Sequence, residues 1–254
     1  NGRTMIYFFT TDDETGLYSA IFYAYEKKIF PDGVFCGNEQ ISFTDTAIKI
    51  TPDEQKALRV KKCLYGSRTK RATSDIAVAI KNGESDKLTI IFNYAKLVID
   101  NKNKDISSNF ANNYVLKFAD LIRRVFNEVH RFKGFLRFEQ SAKGFLYAHY
   151  RPDNDITAYL MPHFFARLNE LPFIIHDVKR NVIGMSDGKS YKTFYAKDLT
   201  VTVFISEEEK NFKALWRTYY DSVNVKERKN LKQMLNYMPA RYHADLPEKN
   251  GFSQ

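Results

Sequence analysis

Three residues of this sequence have the chemistry to move a proton: Glu128, His130 and His163. The first two open the stretch EVHRFKGFLRFEQ, residues 128–140, which packs two carboxylates, a histidine, two arginines, a lysine and three phenylalanines into thirteen positions. A carboxylate and an imidazole within reach of one substrate can act as general acid and base. Such a set would suit an enzyme that works by acid–base catalysis. On a helical wheel Glu128 borders an apolar stripe beside Leu121, whereas His130 falls beyond the opposite edge, toward the polar face. A solvated histidine in the last turn of a helix explains His130 more simply than catalysis does.

The second chemistry is cationic. Net charge is +9, with a pI near 9.3, a balance that favours a polyanionic partner. Residues 56–71, KALRVKKCLYGSRTKR, hold seven cations and no anion. Lys61, Lys62, Arg68, Lys70 and Arg71 are therefore candidate phosphate ligands, against the plainer reading of a solvated helix face followed by a loop. Arg131, Arg137, Arg167 and Arg241 are further candidates for contact with DNA. The chain's 16 tyrosines and 21 phenylalanines often stand beside cations, as in LWRTYY (215–220) and ARYH (240–243). Such pairs stack bases and bind phosphates; they also pack cores and line rims.

Other site signatures are missing. HExxH, GxSxG and GxGxxG do not occur. GMSDGKS (184–190) has three residues between its glycines where a phosphate-binding loop needs four, and it reads as a hairpin turn. Cys36 and Cys63 are too few for a four-thiolate cluster or a disulfide framework. The five histidines, His130, His149, His163, His176 and His243, show no metal-ligand spacing. No metal and no cofactor is expected. HDVKR (176–180) reads as a strand with Asp177 and Lys179 on one face and His176 and Arg180 on the other, forming an ion-paired surface.

These residues need elements to position them. MIYFFT reads as an opening strand, DETGLYSAIFYAYEKKIF as a helix with acidic residues first and lysines last, and ISFTDTAIKI as a strand or half of a hairpin. Helices are predicted over 53–65, 73–82 and 86–100, and the polar stretch DNKNKDISSN (100–109) reads as a boundary. From Asn112 to Arg131, Tyr114, Phe118, Leu121, Ile122, Val125 and Val129 recur at helical spacing. GFLRFEQ and GFLYAHYR, joined by Ser141-Ala142-Lys143, read as a hairpin, with Gly134 as the hinge from helix to strand. ITAYLMPHFFARLNEL is helical, though Pro162 must start, kink or split it. FIIHDVKRNVIGMSDGKSYKTFYA is strand and turn, and Glu207–Tyr220 and Lys226–Tyr237 read as helices. Helices interleave with hairpins, so the expected class is α+β: an antiparallel sheet built from hairpins, covered by helices. One domain over 1–254 is expected, with sub-layers at 5–100 and 109–254.

No apolar run reaches the length of a membrane helix, and the N-terminal residues lack the layout of a secretory signal. No membrane partner is expected, and the location expected is the cytoplasm.

EVHRFKGFLRF, RPDND, MPHFFARL, FIIHDVKR, LWRTYYDSVNVKERKN and MPARYHADLPE, in this order, resemble a bacterial family of DNA metabolism proteins built on a domain of unknown function. TGLYSAIFYAY and ALRVKKCLYG resemble it too. The resemblance implies a DNA-repair setting. Relatives are encoded beside a radical-SAM protein of DNA modification or repair, or are fused ahead of a uracil-DNA-glycosylase-like domain. No glycosylase motif is read in these residues, so that activity is not expected of them. The CxxxCxxC of radical-SAM enzymes is absent as well, so such chemistry would belong to a partner. The leading expectation is an accessory protein that binds DNA, without sequence preference, or a protein–DNA complex, for a radical-SAM or glycosylase partner. The alternatives are an enzyme acting on a nucleobase or a damaged nucleotide, with Glu128, His130 and His163 as its acid–base residues, and a protein–protein adaptor without DNA contact.

Overall fold

IYFFT is apolar enough to be covered from both sides, and it forms β1 (Ile6–Thr10), the middle strand of a three-stranded sheet, in the computed structural model. The structure describes residues 4–37, 42–196 and 238–245. The chain divides into two units, Asn1–Phe126 and Asn127–Gln254.

In the first unit α1 (Glu14–Lys27) follows β1 and returns the chain to the start of the sheet. Its N-cap Asp13 accepts from the Gly16 N–H at 2.7 Å, and its C-cap Lys28 is left-handed at φ 56°. A Cβ at Gly16 would collide with the hydroxyls of Thr10 and Thr11, so only glycine lets the first turn lie this close to β1. Because α1 is a crossover, β2 (Gly33–Cys36) pairs with β1 in parallel, Tyr7 opposite Gly33 through Thr10 opposite Cys36. β3 (Thr46–Lys49) joins the other side of β1, also in parallel. Then come α2 (Glu54–Tyr65), α3 (Ala72–Ala79) and α4 (Lys87–Asp100). Their core gathers Phe8, Leu17, Ile21, Leu64, Ile76, Ile91 and Phe92, all essentially solvent-free. Each contributes about 1.5–3 kcal/mol by leaving water. Thr89 fastens α4 to β2: its hydroxyl accepts from the Val34 N–H at 2.8 Å and donates to the Val34 carbonyl at 3.1 Å.

α5 (Asn113–Phe135) runs through the division between the units. Val115, Phe118, Leu121, Val125, Val129 and Phe132 are its buried apolar face, while Tyr114 is 38% exposed and so leaves the stripe assigned to it. The helix continues past Arg131 and includes Gly134, so Gly134 is no hinge. Arg137 ends the helix instead, its guanidinium donating to the Gly134 carbonyl at 2.7 Å.

The second unit carries a five-stranded sheet in the order β4-β5-β6-β7-β8: β4 (Glu139–Gln140), β5 (Leu146–Tyr150), β6 (Phe173–Asp177), β7 (Val182–Ser186) and β8 (Tyr191–Tyr195). β4–β5 and β6–β7–β8 are hairpins, as their turn residues predict. At the last turn Asp187 accepts from the Lys189 and Ser190 amides, both at 2.8 Å, so GMSDGKS is a hairpin turn. Between β5 and β6 lies α6 (Thr157–Leu168), and those two strands are parallel. Pro162 sits inside α6 without ending it; it and Ala158, whose carbonyl it leaves without an amide donor, are both exposed to water. α6 lies against β7, where Gly184 makes room for Met161.

The α+β class stands, but the sheet is not simply antiparallel. All of the first sheet and the β5–β6 pair are parallel, because α1 and α6 act as crossovers. β2, only four residues long, has no alternation to announce it. The helices expected over Glu207–Tyr220 and Lys226–Tyr237 lie outside the described residues. Among those described, no helix is long and apolar enough to cross a membrane.

Candidate functional site

Glu128 falls three residues after Val125 and four before Phe132, so the helical period carries it into the packed side of α5, where it is 3% exposed. A carboxylate there must have partners. Its Oε1 accepts from the Asp153 N–H at 2.8 Å and the Tyr242 hydroxyl at 2.6 Å; its Oε2 accepts from the Asn154 N–H at 2.8 Å and the Asn154 side-chain amide at 2.6 Å. Four donors fill the lone-pair sites of one carboxylate. Glu128 is thus an anchor for the RPDND loop (151–155) and for the 3-10 helix Ala240–Asp245.

Arg241 reinforces that anchor. Its Nε pairs with Asp153 at 2.8 Å, and its guanidinium lies 4.8 Å from the centre of the Tyr242 ring. Burial, then the hydrogen bond to Glu128, pushes the Tyr242 hydroxyl well above its ordinary pKa, so it stays a donor. From the other side Arg180 donates to the Pro152 carbonyl at 3.1 Å, to the Asp153 carbonyl, and to Asp177 at 3.0 Å. Asp177 is fully buried, and burial raises its pKa against the pull of Arg180. The alternating faces expected for HDVKR do not form: the strand ends at Asp177 and the chain turns, bringing Arg180 back onto it.

The histidines are elsewhere. His130 is exposed. His163, on α6, is half-buried with its Nε2 sealed from solvent and without a hydrogen-bond partner among the described residues. Burial, then the charges of Lys133 and Arg167, lowers its pKa, so it is neutral at pH 7. No described contact joins either histidine to Glu128. The proton-transfer set therefore does not converge; Glu128 and Arg241 do. The residues missed by sequence reasoning are Asn154, Tyr242 and Arg180, which no local spacing ties to Glu128.

Of the other cations in this unit, Arg131 is half-buried, Arg137 caps α5, and Arg167 is exposed in the last turn of α6.

The remaining candidates lie in the first unit. Lys61 is drawn into an ion pair with Glu14 at 2.9 Å. Lys62, Arg68, Lys70 and Arg71 are exposed. Arg71 takes the left-handed φ of 67° where α3 begins, and its Nε stands 3.6 Å from Asp75. The turn that carries Arg68 and Lys70 is stitched to the loop after α4. The Arg68 N–H donates to the Lys102 carbonyl at 2.9 Å, the Thr69 hydroxyl to the Lys104 carbonyl at 3.3 Å, and the Ile106 N–H to Thr69 Oγ1 at 3.2 Å. Lys102 and Lys104, exposed too, thereby join the same ridge; no sequence pattern singles them out. Asp105 lies on it as well, its pKa lowered by hydrogen bonds from Ser107 and by the charge of Lys70.

Among the described residues no three of His, Cys, Asp or Glu are grouped to hold a metal ion. Both cysteines are exposed and unbridged.

No curated protein and no solved structure matches the chain. Residues 85–248 match a family described as a domain of unknown function, DUF4130. That stretch takes in the motifs from EVHRFKGFLRF through MPARYHADLPE, including the whole Glu128 anchor, and leaves out TGLYSAIFYAY and ALRVKKCLYG. The chain belongs to the DUF4130 family.

Proposed function

We propose that this protein is a DNA-binding accessory factor of DNA metabolism that grips the phosphate backbone through the ridge of Arg68, Lys70, Arg71, Lys102 and Lys104. The observation that carries this reading is the set of hydrogen bonds between Thr69, Arg68 and the loop after α4, which ties together the backbones of two separate stretches that carry exposed cations. Cations on an ordered backbone lose less freedom when they meet phosphates than cations on a floppy tail. The net charge of +9 supports the reading, as does the resemblance to a family of DNA metabolism proteins. In this reading a radical-SAM partner supplies the chemistry, and this chain supplies the hold on DNA.

Binding without sequence preference follows from recognition of the backbone, and it must weaken with salt as counterions are released. Affinity for a short duplex is measured across a salt series for the wild type and for a variant with Arg68, Lys70, Lys102 and Lys104 each changed to Glu. The expected result is at least a tenfold weaker Kd at low salt, with the log–log salt slope flattened by about 0.9 for each phosphate that is no longer neutralised. An unchanged Kd and slope in that variant would remove the ridge from DNA binding.

A further inference from the structure

We infer that Tyr65 is a base-stacking platform, and that the ridge is therefore shaped for single-stranded DNA. This inference rests on the DNA-binding reading above and refines it.

Tyr65 is the last residue of α2 and is 83% exposed. The buried side of α2 is Ala57, Val60 and Leu64, and Tyr65 lies one residue past it, turned away from the core. Among the described residues its ring makes no aromatic contact and its hydroxyl no hydrogen bond. A tyrosine so placed gives nothing to packing and leaves a large flat apolar face in water. Its neighbours are cations: Lys62 one turn earlier on the same helix face, and Arg68 three residues later on the stitched turn. The other arm of the ridge repeats the pattern, with Lys102 and Lys104 followed on the same loop by Phe110, which is 53% exposed.

Cations alone would suit any nucleic acid, duplex included. An exposed ring among them adds something a duplex cannot use, because the faces of paired bases are covered by their own neighbours. Unpaired bases have free faces, and stacking on an aromatic side chain beside a phosphate-tracking groove is how single strands are held without sequence preference. The hydroxyl of Tyr65 plays no part; the ring does.

The test is fluorescence anisotropy at one salt concentration, with a labelled oligonucleotide of mixed sequence as a single strand and as a blunt duplex, on the full chain. The wild type is expected to bind the single strand more tightly than the duplex. Tyr65→Ala is expected to weaken single-strand binding by roughly tenfold, the loss of one stacked base, and to change duplex binding less than twofold. Tyr65→Phe should bind like the wild type. Because Tyr65 is outside the core, circular dichroism and Tm should be the same for all three proteins. Single-strand binding untouched by Tyr65→Ala, or a preference for duplex, would overturn the stacking role and leave the phosphate ridge standing. Failure of the wild type to bind either DNA would overturn both readings together.

Discussion

His176 donates from Nε2 to the Asn181 side-chain oxygen at 2.9 Å, and the direction of that bond is fixed by Asn181 itself. The amide nitrogen of Asn181 already donates to the Ala196 carbonyl, so its oxygen must face the imidazole. An oxygen can only accept, hence Nε2 carries the proton. In the neutral ring Nδ1 is then the acceptor for the Tyr147 hydroxyl, 2.9 Å away. One asparagine at the β6–β7 turn thus selects the tautomer of a buried histidine.

The first prediction concerns that selection. In its neutral form the His176 ring should show, by nitrogen chemical shift, a protonated Nε2 and a bare Nδ1. Asn181→Gly, which keeps the left-handed φ of 52° while deleting the bonds to His176 and Ala196, should lower stability by about 1–2 kcal/mol. A neutral wild-type ring protonated at Nδ1 instead of Nε2 would contradict the assignment.

The Glu128 anchor gives the second. Glutamine has the shape of glutamate, but it must present an N–H₂ to donors that need acceptors. Glu128→Gln should therefore cost roughly 3 kcal/mol in denaturant unfolding. Tyr242→Phe removes a single donor and should cost about 1.5 kcal/mol. His130→Ala, at an exposed position, should stay within about 0.5 kcal/mol of the wild type. A Glu128→Gln protein as stable as the wild type would mean that the four hydrogen bonds are not what holds the RPDND loop.

The third is a pH dependence. His163 has its folded pKa held below the ordinary imidazole value of 6.5, chiefly by burial. Below that value the unfolded chain takes up a proton that the native ring refuses, so stability present at pH 7 is lost as pH falls through the folded pKa. Melting temperature measured from about pH 7 to about pH 5 should fall more steeply for the wild type than for His163→Gln. Parallel curves would show that His163 titrates alike in both states.

Elements with local causes were legible in the sequence. The caps of α1 and α2 and the apolar periods of α1, α2 and α4 are written in neighbouring residues, and so are the turns of the hairpins at Ser141 and Asp187. Parallel pairing was not, because it depends on where α1 and α6 return the chain, and no residue of β1 or β5 encodes that. The site divides in the same way. The exposed cations of residues 62–71 could be read from one stretch, whereas Lys102 and Lys104 join them only through Thr69. Glu128 could be placed near an apolar stripe. Its partners Asp153, Asn154 and Tyr242 lie 25, 26 and 114 residues away, beyond any spacing argument.

The tie between Thr89 and Val34 bears on how this protein can be cut. The family segment starts at residue 85, just ahead of α4, yet α4 is built to be covered by what precedes it. Phe92 meets the ring of Phe8 edge to face, and Leu88, Ile91 and Ala95 are sealed within the same core. Excising 85–248 for expression would strip β1, β2 and α1 from that helix and leave a sticky apolar flank in water, a substrate for proteases and chaperones. The stretch that identifies the family is thus shorter than the stretch that folds.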